Sequence, residues 1–566
     1  MATPKFKISF GILLTLIILV VVNLLASKWH ARLDLTNEKR FTLSRPTKQL
    51  LQQVDDVITV QVFLKGNYPS GFKQLGTATA DILQEFKEEA GNKIRYEFIS
   101  PEDKIDGTDA SFADTLSAMG MFPINLTSQV KEGQQQQYIY PVALLKYKEK
   151  SVPVLLYQGK TPIANFQELN SAEALLEYKL ADAISKLTST SRPLVGYATG
   201  NGEPMSYNVY DMVENTLKTN YNLATFNLNA HPLVPAEIKA LIIVKPLLAF
   251  TDGEKFKLDQ YVMNGGRLLF FLDRLNAEMD SLQIKNEVIA YDRNLSLNDL
   301  LFKYGARVNP DLLMDLQCDY LPFDVNGNGQ FELLPWNYFP VFESLSNHPI
   351  NKNMGFVSGK FVNSIDTIEA EGIKKTILLT SSSNARTIST PALISPLENI
   401  NAPEDAKFKK ANVPVAVLLE GKFQSLYANR VSQSMLDTLA VTGAIFRKEG
   451  VEGGKIIIVS DGDVVLNAVV KGNQPVPMGM NQYTYGTQRE FPFANKEFFQ
   501  NCLDYLINEN DLSEAKAKDY VARLLNSTKV KEEKSKWQLI NIGVPVITVI
   551  LFAIFFQWFR RKRFSI

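Results

Sequence analysis

Apolar positions along this chain fall into three patterns, and each predicts a different kind of element. The first is unbroken. Ile8–Ala26 (ISFGILLTLIILVVVNLLA) and Leu539–Phe559 (LINIGVPVITVILFAIFFQWF) run 19 and 21 residues without a charge. As helices rising about 1.5 Å per residue, each spans roughly 30 Å, the thickness of a bilayer's hydrocarbon core. The second pattern is short, dense and bounded by turn formers, as in Ile58–Leu64 (ITVQVFL) and Leu268–Leu272 (LLFFL), and predicts strands. The third recurs at helical spacing, as with Leu75, Ile82 and Phe86 inside Phe72–Ala90.

Read in order, these patterns predict an outer region between two membrane spans. Ser44 reads as an N-cap, with Pro46 in the first turn of a helix ending near Val54. Ile58–Leu64, the helix Phe72–Ala90 stopped by Gly91, and Ile94–Ile99 make one β-α-β unit. Met119–Ile124 and Lys131–Gln137 (KEGQQQQ) read as loops, the glutamines as a solvated hairpin tip. Tyr138–Tyr147 and Val152–Leu156 pair as a hairpin around Lys148–Lys150, and Leu175–Leu187 is an amphipathic helix. The first outer α/β domain is therefore expected over 27–191, after a span at 8–26 and a short N-terminus at 1–7.

From Leu194 onward, apolar runs alternate with helices. The strands Leu194–Ala198, Leu241–Val244, Leu268–Leu272 and Lys455–Val459 are separated by helices through Val209–Leu217 and Glu254–Met263 and closed by Lys496–Leu506. That alternation predicts a doubly wound parallel sheet in an α/β fold. Its two parts are expected at 192–308 and 431–507. A β-rich insertion is expected between them at 309–430, with its own strands at Thr376–Thr380 and Val413–Leu419. Residues 508–538 read as a charged helical stalk, followed by the span at 539–559 and a tail at 560–566.

Basic residues set the expected orientation. Lys5 and Lys7 precede the first span, and Arg560, Arg561, Lys562 and Arg563 follow the second. The positive-inside rule then puts both termini in the cytoplasm and 27–538 on the far side of the membrane. Lys28 and Arg32 oppose that reading at the first span, while Trp537 and Trp558 flank the second as interface anchors do. A cleaved signal peptide is the alternative for the first run. Its length and the lack of a small-x-small site favour an uncleaved anchor.

Composition narrows the function. Of 566 residues, 60 are Lys or Arg and 60 are Asp or Glu, which argues against a nucleic-acid partner held by a basic surface. The two cysteines, Cys318 and Cys502, form no CxxC pair, and His30, His231 and His348 are far apart. Neither cysteine follows a strand elbow, and no G-x-S-x-G occurs, so no nucleophilic triad is expected. Gly450–Lys455 has the wrong spacing for a phosphate loop and precedes a strand.

Ligands of open parallel sheets sit beyond the carboxyl ends of the strands. Three such ends are polar here: Gly200, Asn201, Gly202 and Glu203; Asp273 with Arg274; Asp461 and Asp463. They are the candidate ligand-binding residues. The plainer reading is that these residue types make turns and caps. Asp324, Asn326, Asn328 and Glu332 resemble the start of a calcium loop, yet Pro335 stands where a bidentate Glu is required, and a hairpin turn explains them as well. No other metal site and no cofactor is indicated.

Several stretches together carry a family resemblance. They are Arg32–Leu51 (RLDLTNEKRFTLSRPTKQLL), Leu176–Leu187 (LEYKLADAISKL), Thr199–Pro204 (TGNGEP), Val413–Arg430 (VPVAVLLEGKFQSLYANR), Lys496–Leu506 (KEFFQNCLDYL) and Arg523–Asn541 (RLLNSTKVKEEKSKWQLIN). In order and position they resemble the GldG family, the gliding-motility-associated ABC transporter auxiliary subunits of the Bacteroidota. The resemblance implies an amidotransferase-like second domain, shared with an intraflagellar-transport domain. Family members more often have Gly-His-Gly-Glu where this chain has Gly200-Asn201-Gly202-Glu203, so a histidine is missing here. It also implies a polytopic ABC permease subunit, a cytoplasmic ABC ATPase reached through that permease, the lipid bilayer, and a link to gliding and type IX secretion. The expected role is a non-catalytic outer subunit coupling the transporter to a periplasmic or cell-wall partner. The alternative is a glycan or peptide receptor using the carboxyl edge of the sheet.

Overall fold

Ser44 precedes the helix α1 (Arg45–Gln52), but it does not cap it in the usual way. Its hydroxyl meets Thr47 Oγ1 at 2.9 Å, and its backbone N–H donates to Glu177 Oε1 at 2.7 Å. In the computed structural model the described residues are 17–21, 42–105, 107, 109–119, 121, 123–130, 133–157, 166–189, 192–284, 287–395, 405–470, 473–507, 513–516 and 527–564. The chain divides into two units, Met1–Asp519 and Tyr520–Ile566. The fold is mixed α/β.

The expected β-α-β unit is present. Strand β1 (Ile58–Val62) leads into α2 (Ser70–Glu89), which ends before Gly91 at φ +62°, and β2 (Ile94–Phe98) returns parallel to β1. The glutamine tract differs from its expectation. β3 (Ile124–Val130) pairs antiparallel with β4 (Gly133–Ile139), so Gln134–Gln137 belong to a strand and not to a loop. Backbone pairing with the alternating INLTSQV segment outweighs the weak strand preference of glutamine. β5 (Val142–Tyr147) and β6 (Lys150–Leu155) form the expected hairpin and extend the first sheet to the order β2-β1-β5-β6. Helix α3 (Phe166–Thr188) is longer than its apolar pattern suggested.

The second sheet has seven strands. They are β7 (Leu194–Thr199), β8 (Asn222–Asn227), β9 (Ile238–Val244), β10 (Arg267–Phe271), β11 (Ile373–Thr380), β12 (Pro414–Gly421) and β13 (Gly454–Val459). Their order is β11-β12-β13-β10-β9-β7-β8. Five neighbouring strands pair in parallel, whereas β12 at one side pairs antiparallel with both β13 and β11. The segments expected as strands of a separate insertion, Thr376–Thr380 and Val413–Leu419, are therefore part of this sheet. β11 pairs with β12 and β12 with β13, and their apolar residues join the cores on the two faces of this sheet and not one of their own. The small antiparallel pairings formed by residues 306–389 lie between β10 and β12 in sequence.

Both faces of the sheet are covered. On one, Val195, Ile242 and Phe271 pack with Phe498, Phe499, Cys502 and Leu503 of the helix Asn495–Ile507. On the other, Leu241, Ile243, Leu268 and Phe270 pack with α4 (Asp252–Met263) and α5 (Asn298–Tyr304). Burial on both sides is why the strands read as continuous apolar runs. The helix expected through Val209–Leu217 is irregular, passing from a 3₁₀ turn through a short α segment into a π segment at Val213–Leu217.

In the second unit, α6 (Ser527–Phe564) is one continuous helix holding Pro545, and its Glu533–Lys562 stretch is long and apolar enough to cross a membrane. The expected span 539–559 falls inside it. Of the expected span at 8–26, only 17–21 are described; they are helical and exposed. The stalk expected at 508–538 is described only at 513–516 and from 527 onward.

Candidate functional site

The carboxyl edge of the second sheet begins where the chain leaves β7. Gly200 has φ +120° and Gly202 has φ +84°, and a Cβ on Gly202 would lie 3.0 Å from Leu247 Cβ. Only glycine takes this turn at so close an approach. The loop folds onto the segment after β9, with Leu247 and Leu248 N–H groups both donating to Asn201 O at 2.8 Å. Asn201 and Glu203 are buried, and Glu203 Oε2 accepts from the Asn201 N–H at 2.8 Å. Burial pushes the Glu203 carboxyl above its ordinary value. Asn201 Oδ1 and Glu203 Oε1 are buried with no hydrogen-bond partner.

The other two strand ends converge on a lysine that the sequence pattern did not single out. Lys245 follows β9 at φ +44°, and its side chain is buried. Its ammonium lies 2.7 Å from Asp463, 3.0 Å from Glu278 and 3.1 Å from Asp273. Gly462 permits the approach, because a Cβ there would be 2.6 Å from Lys245 Cβ. The Gly462 N–H donates to Asp273, and Asp461 accepts from the N–H groups of Asp463 and Lys360, each at 2.7 Å. Glu278 is shared with Arg293 at 2.8 Å.

Burial acts first on every one of these groups. It raises Asp273, with Lys245 only partly offsetting it, and it drives Asp461 well up, reinforced by the neighbouring Asp463 charge. At Asp463 burial is outweighed by Lys245 together with the Lys360 and Arg293 charges, which hold the carboxyl below its usual range. The carboxylates in turn overcome burial at Lys245 and raise it. Asp273, Asp461 and Asp463 offer oxygens within 4.8 Å of one another, the spacing of a cation site. Lys245 already supplies the cation there.

The sequence-predicted residues thus separate into two groups. Gly200–Glu203 face the Leu247 loop, while Asp273, Asp461 and Asp463 surround Lys245. The only signal for Lys245 in sequence is one charge directly after the apolar run Ile242–Val244. The calcium-like loop joins the paired strands Cys318–Phe323 and Glu332–Phe342. Asp324 accepts from the N–H groups of Asn328 and Gly329 at 3.1 and 3.0 Å, and Asn328 Oδ1 from Gln330 N–H at 2.9 Å. Asn326 is exposed, and Glu332 is placed across from Phe323. These side-chain contacts are those of a hairpin turn.

Both cysteines are free thiols. Burial raises Cys502 and pushes Cys318 up to about 12, so neither is a ready nucleophile. His348 packs against Tyr505 at 4.7 Å between ring centroids, and burial lowers it to about 4. His231 stacks on Phe226 at 4.9 Å.

A mixed α/β body and a separate apolar helix define the class: a chain with a large folded region and a membrane-anchoring segment. Residues 192–502 match a family described as an ABC-type uncharacterized transport system, and the chain belongs to that family of ABC transporter auxiliary proteins. Residues 37–146 match a domain of unknown function. An uncharacterized protein of Borreliella burgdorferi is 20% identical over 559 residues, covering 97% of each chain. Among solved structures, the mmIFT52 N-terminal domain aligns with 55% of this chain and 96% of its own at 13% identity, TM-score 0.30. A ThuA-like protein from Parabacteroides merdae aligns with 60% of this chain and 94% of its own at 10% identity, TM-score 0.25.

Proposed function

We propose that this chain is a non-catalytic auxiliary subunit of an ABC transport complex, held in a bacterial inner membrane by both ends with its folded body in the periplasm. The observation that carries the reading is the apolar stretch Glu533–Lys562, with a basic cluster at its end, in a chain whose 192–502 segment belongs to an ABC transport family. The inert thiols and the mutually satisfied Lys245 cluster support a scaffold over an active centre. In this reading the spans pack on a polytopic permease subunit, and the body relays ATP-driven motion to an envelope partner in gliding and type IX secretion. Co-purification from mild detergent with a tag after Ile566 tests it. An ATPase and a multi-span protein are expected in the eluate, and recovery of the chain alone at several detergent strengths would refute the complex. Alkaline phosphatase fused at Gly450 should be active and fused at Ile566 inactive; the reverse would overturn the orientation.

One observation favours a second reading, a glycan or peptide receptor at the sheet edge. Asn201 Oδ1 and Glu203 Oε1 are buried without partners, and a ligand donor would satisfy both. Binding of cell-wall fragments that is lost in Glu203→Ala and Asp461→Ala would support it; binding indifferent to both would end it.

A further inference from the structure

Beside Asp273 the chain opens a groove of about 710 Å³, bordered by Arg274, α5 and the residues that follow it. This volume is in the range of about 300–1,000 Å³ usual for small-molecule sites. Three cations line it: Arg274, Lys303 and Arg307. One carboxylate, Asp299, lines it too, but Lys255 and Arg430 already hold it at 2.8 and 3.0 Å. Arg274 and Arg307 are paired in the same way, with Asp292 and Asp366, so Lys303 is the lining cation left to meet an anion among the described residues.

Its parts differ in how firmly they are placed. The Arg274 guanidinium donates to Asp292 at 2.8 Å, to Asn298 Oδ1 at 3.1 Å and to Val308 O, so it is fixed at the groove wall. Arg307 pairs across a two-stranded ladder with Asp366. Lys303 is exposed, and among the described residues it has no ion-pair partner. Asn298 has used its carbonyl on Arg274 and keeps its NH₂ donors; Asn309 donates to Ser364 Oγ at 3.0 Å and keeps its carbonyl as acceptor. Phe302, which also lines the groove, is 52% exposed.

An exposed aromatic side chain, amides offering donors and an acceptor, and a lysine left to meet an anion together match one ligand chemistry. A sugar ring stacks its C–H face on an aromatic, its hydroxyls need both donors and acceptors, and a carboxylate substituent needs a cation. We propose that this groove binds an oligosaccharide bearing carboxylates, with Phe302 as the stacking platform and Lys303 as the cation that meets the acid. The site does not include the Gly200–Glu203 loop, and its test stands apart from both readings above.

The test titrates the full chain in detergent with tetragalacturonate, with neutral cellotetraose, and with inorganic phosphate. Tetragalacturonate is expected to saturate, and cellotetraose to bind at least about tenfold more weakly, the loss of one charge-assisted hydrogen bond. Lys303→Ala should weaken tetragalacturonate binding by about tenfold on the same basis, and Phe302→Ala should also weaken it. Both side chains are exposed, so an unchanged melting temperature separates lost binding from lost fold. No saturation in the millimolar range, or binding unmoved by either variant, overturns the proposal. Equal binding of cellotetraose overturns the acidic character, and phosphate binding as tightly as tetragalacturonate reduces the groove to a simple anion site and overturns the sugar.

Discussion

Replacing Lys245 by Met keeps most of the side-chain stem and removes the charge at the centre of the sheet's carboxyl edge. The ammonium now faces three carboxylates at 2.7 to 3.1 Å. Glu278 would keep Arg293 at 2.8 Å, but Asp273 and Asp463 would be left buried with no lysine. Removing one partner of a buried ion pair costs about 3–5 kcal/mol, or roughly two to three and a half powers of ten in the folding equilibrium. The loss should also depend on pH. Without the ammonium, burial raises both aspartates above the ~4 they show in an unfolded chain. A group raised in the folded state contributes fully below its unfolded pKa and loses that contribution as pH rises through the folded one. The variant should therefore be closer to wild type at about pH 5 than at about pH 8. Thermal melting of both proteins at the two pH values, with hydrogen exchange read on the β9 and β10 peptides, measures this. A deficit equal at both pH values would show that Lys245 contributes packing and not charge. A variant as stable as wild type at the higher pH would refute the argument outright.

Gly202→Ala puts a Cβ at φ +84° and 3.0 Å from Leu247 Cβ, so it should cost about 1–3 kcal/mol in a melting experiment, whereas Gly253→Ala, with open space around it, should cost far less. Lys186 joins Asp182 at 2.8 Å to Asp504 at 2.9 Å, tying α3 to the helix Asn495–Ile507; Lys186→Met should speed proteolysis between residues 188 and 194, read by mass spectrometry. His348 is lowered by burial to about 4, below its ordinary 6.5, so the unfolded chain takes up its proton first and stability falls as pH drops between those values. His348→Gln should flatten that part of the stability profile. At neutral pH both Cys318 and Cys502 should resist maleimide in the native protein and react together once the fold is opened, as counted by intact mass.

How much of this was legible in sequence depends on how local the cause is. The β1-α2-β2 unit and the strands β7, β9, β10 and β13 announce themselves because their burial is written in adjacent residues. The Thr251–Glu254 capping box opening α4 is local in the same way. The Gln134–Gln137 strand was hidden, since its cause is a partner strand and not its own side chains. Strands β11 and β12 looked like part of an insertion because alternation shows burial but not which sheet supplies it. Lys245 was missed for a related reason. A lysine after a strand reads as a solvated strand end, and only the return of the chain at Asp273 and again at Asp461–Asp463 makes it the centre of a cluster. The candidate carboxylates were visible as residue types at strand ends, while their occupation by an internal ammonium was not.

The position of β13 has a consequence for how the molecule is made. It lies inside the second sheet, between β10 and β12, though it comes almost two hundred residues after β10 in the chain. Until Gly454–Val459 has been synthesised, the Leu268–Phe271 backbone has one open edge and β12 has no parallel core to join. Pairings of such sequence separation close slowly, and an unpaired apolar strand invites association with other chains. The growing polypeptide therefore spends most of its synthesis with its widest sheet unfinished, and whatever shelters that edge in the cell acts before the C-terminal helix exists.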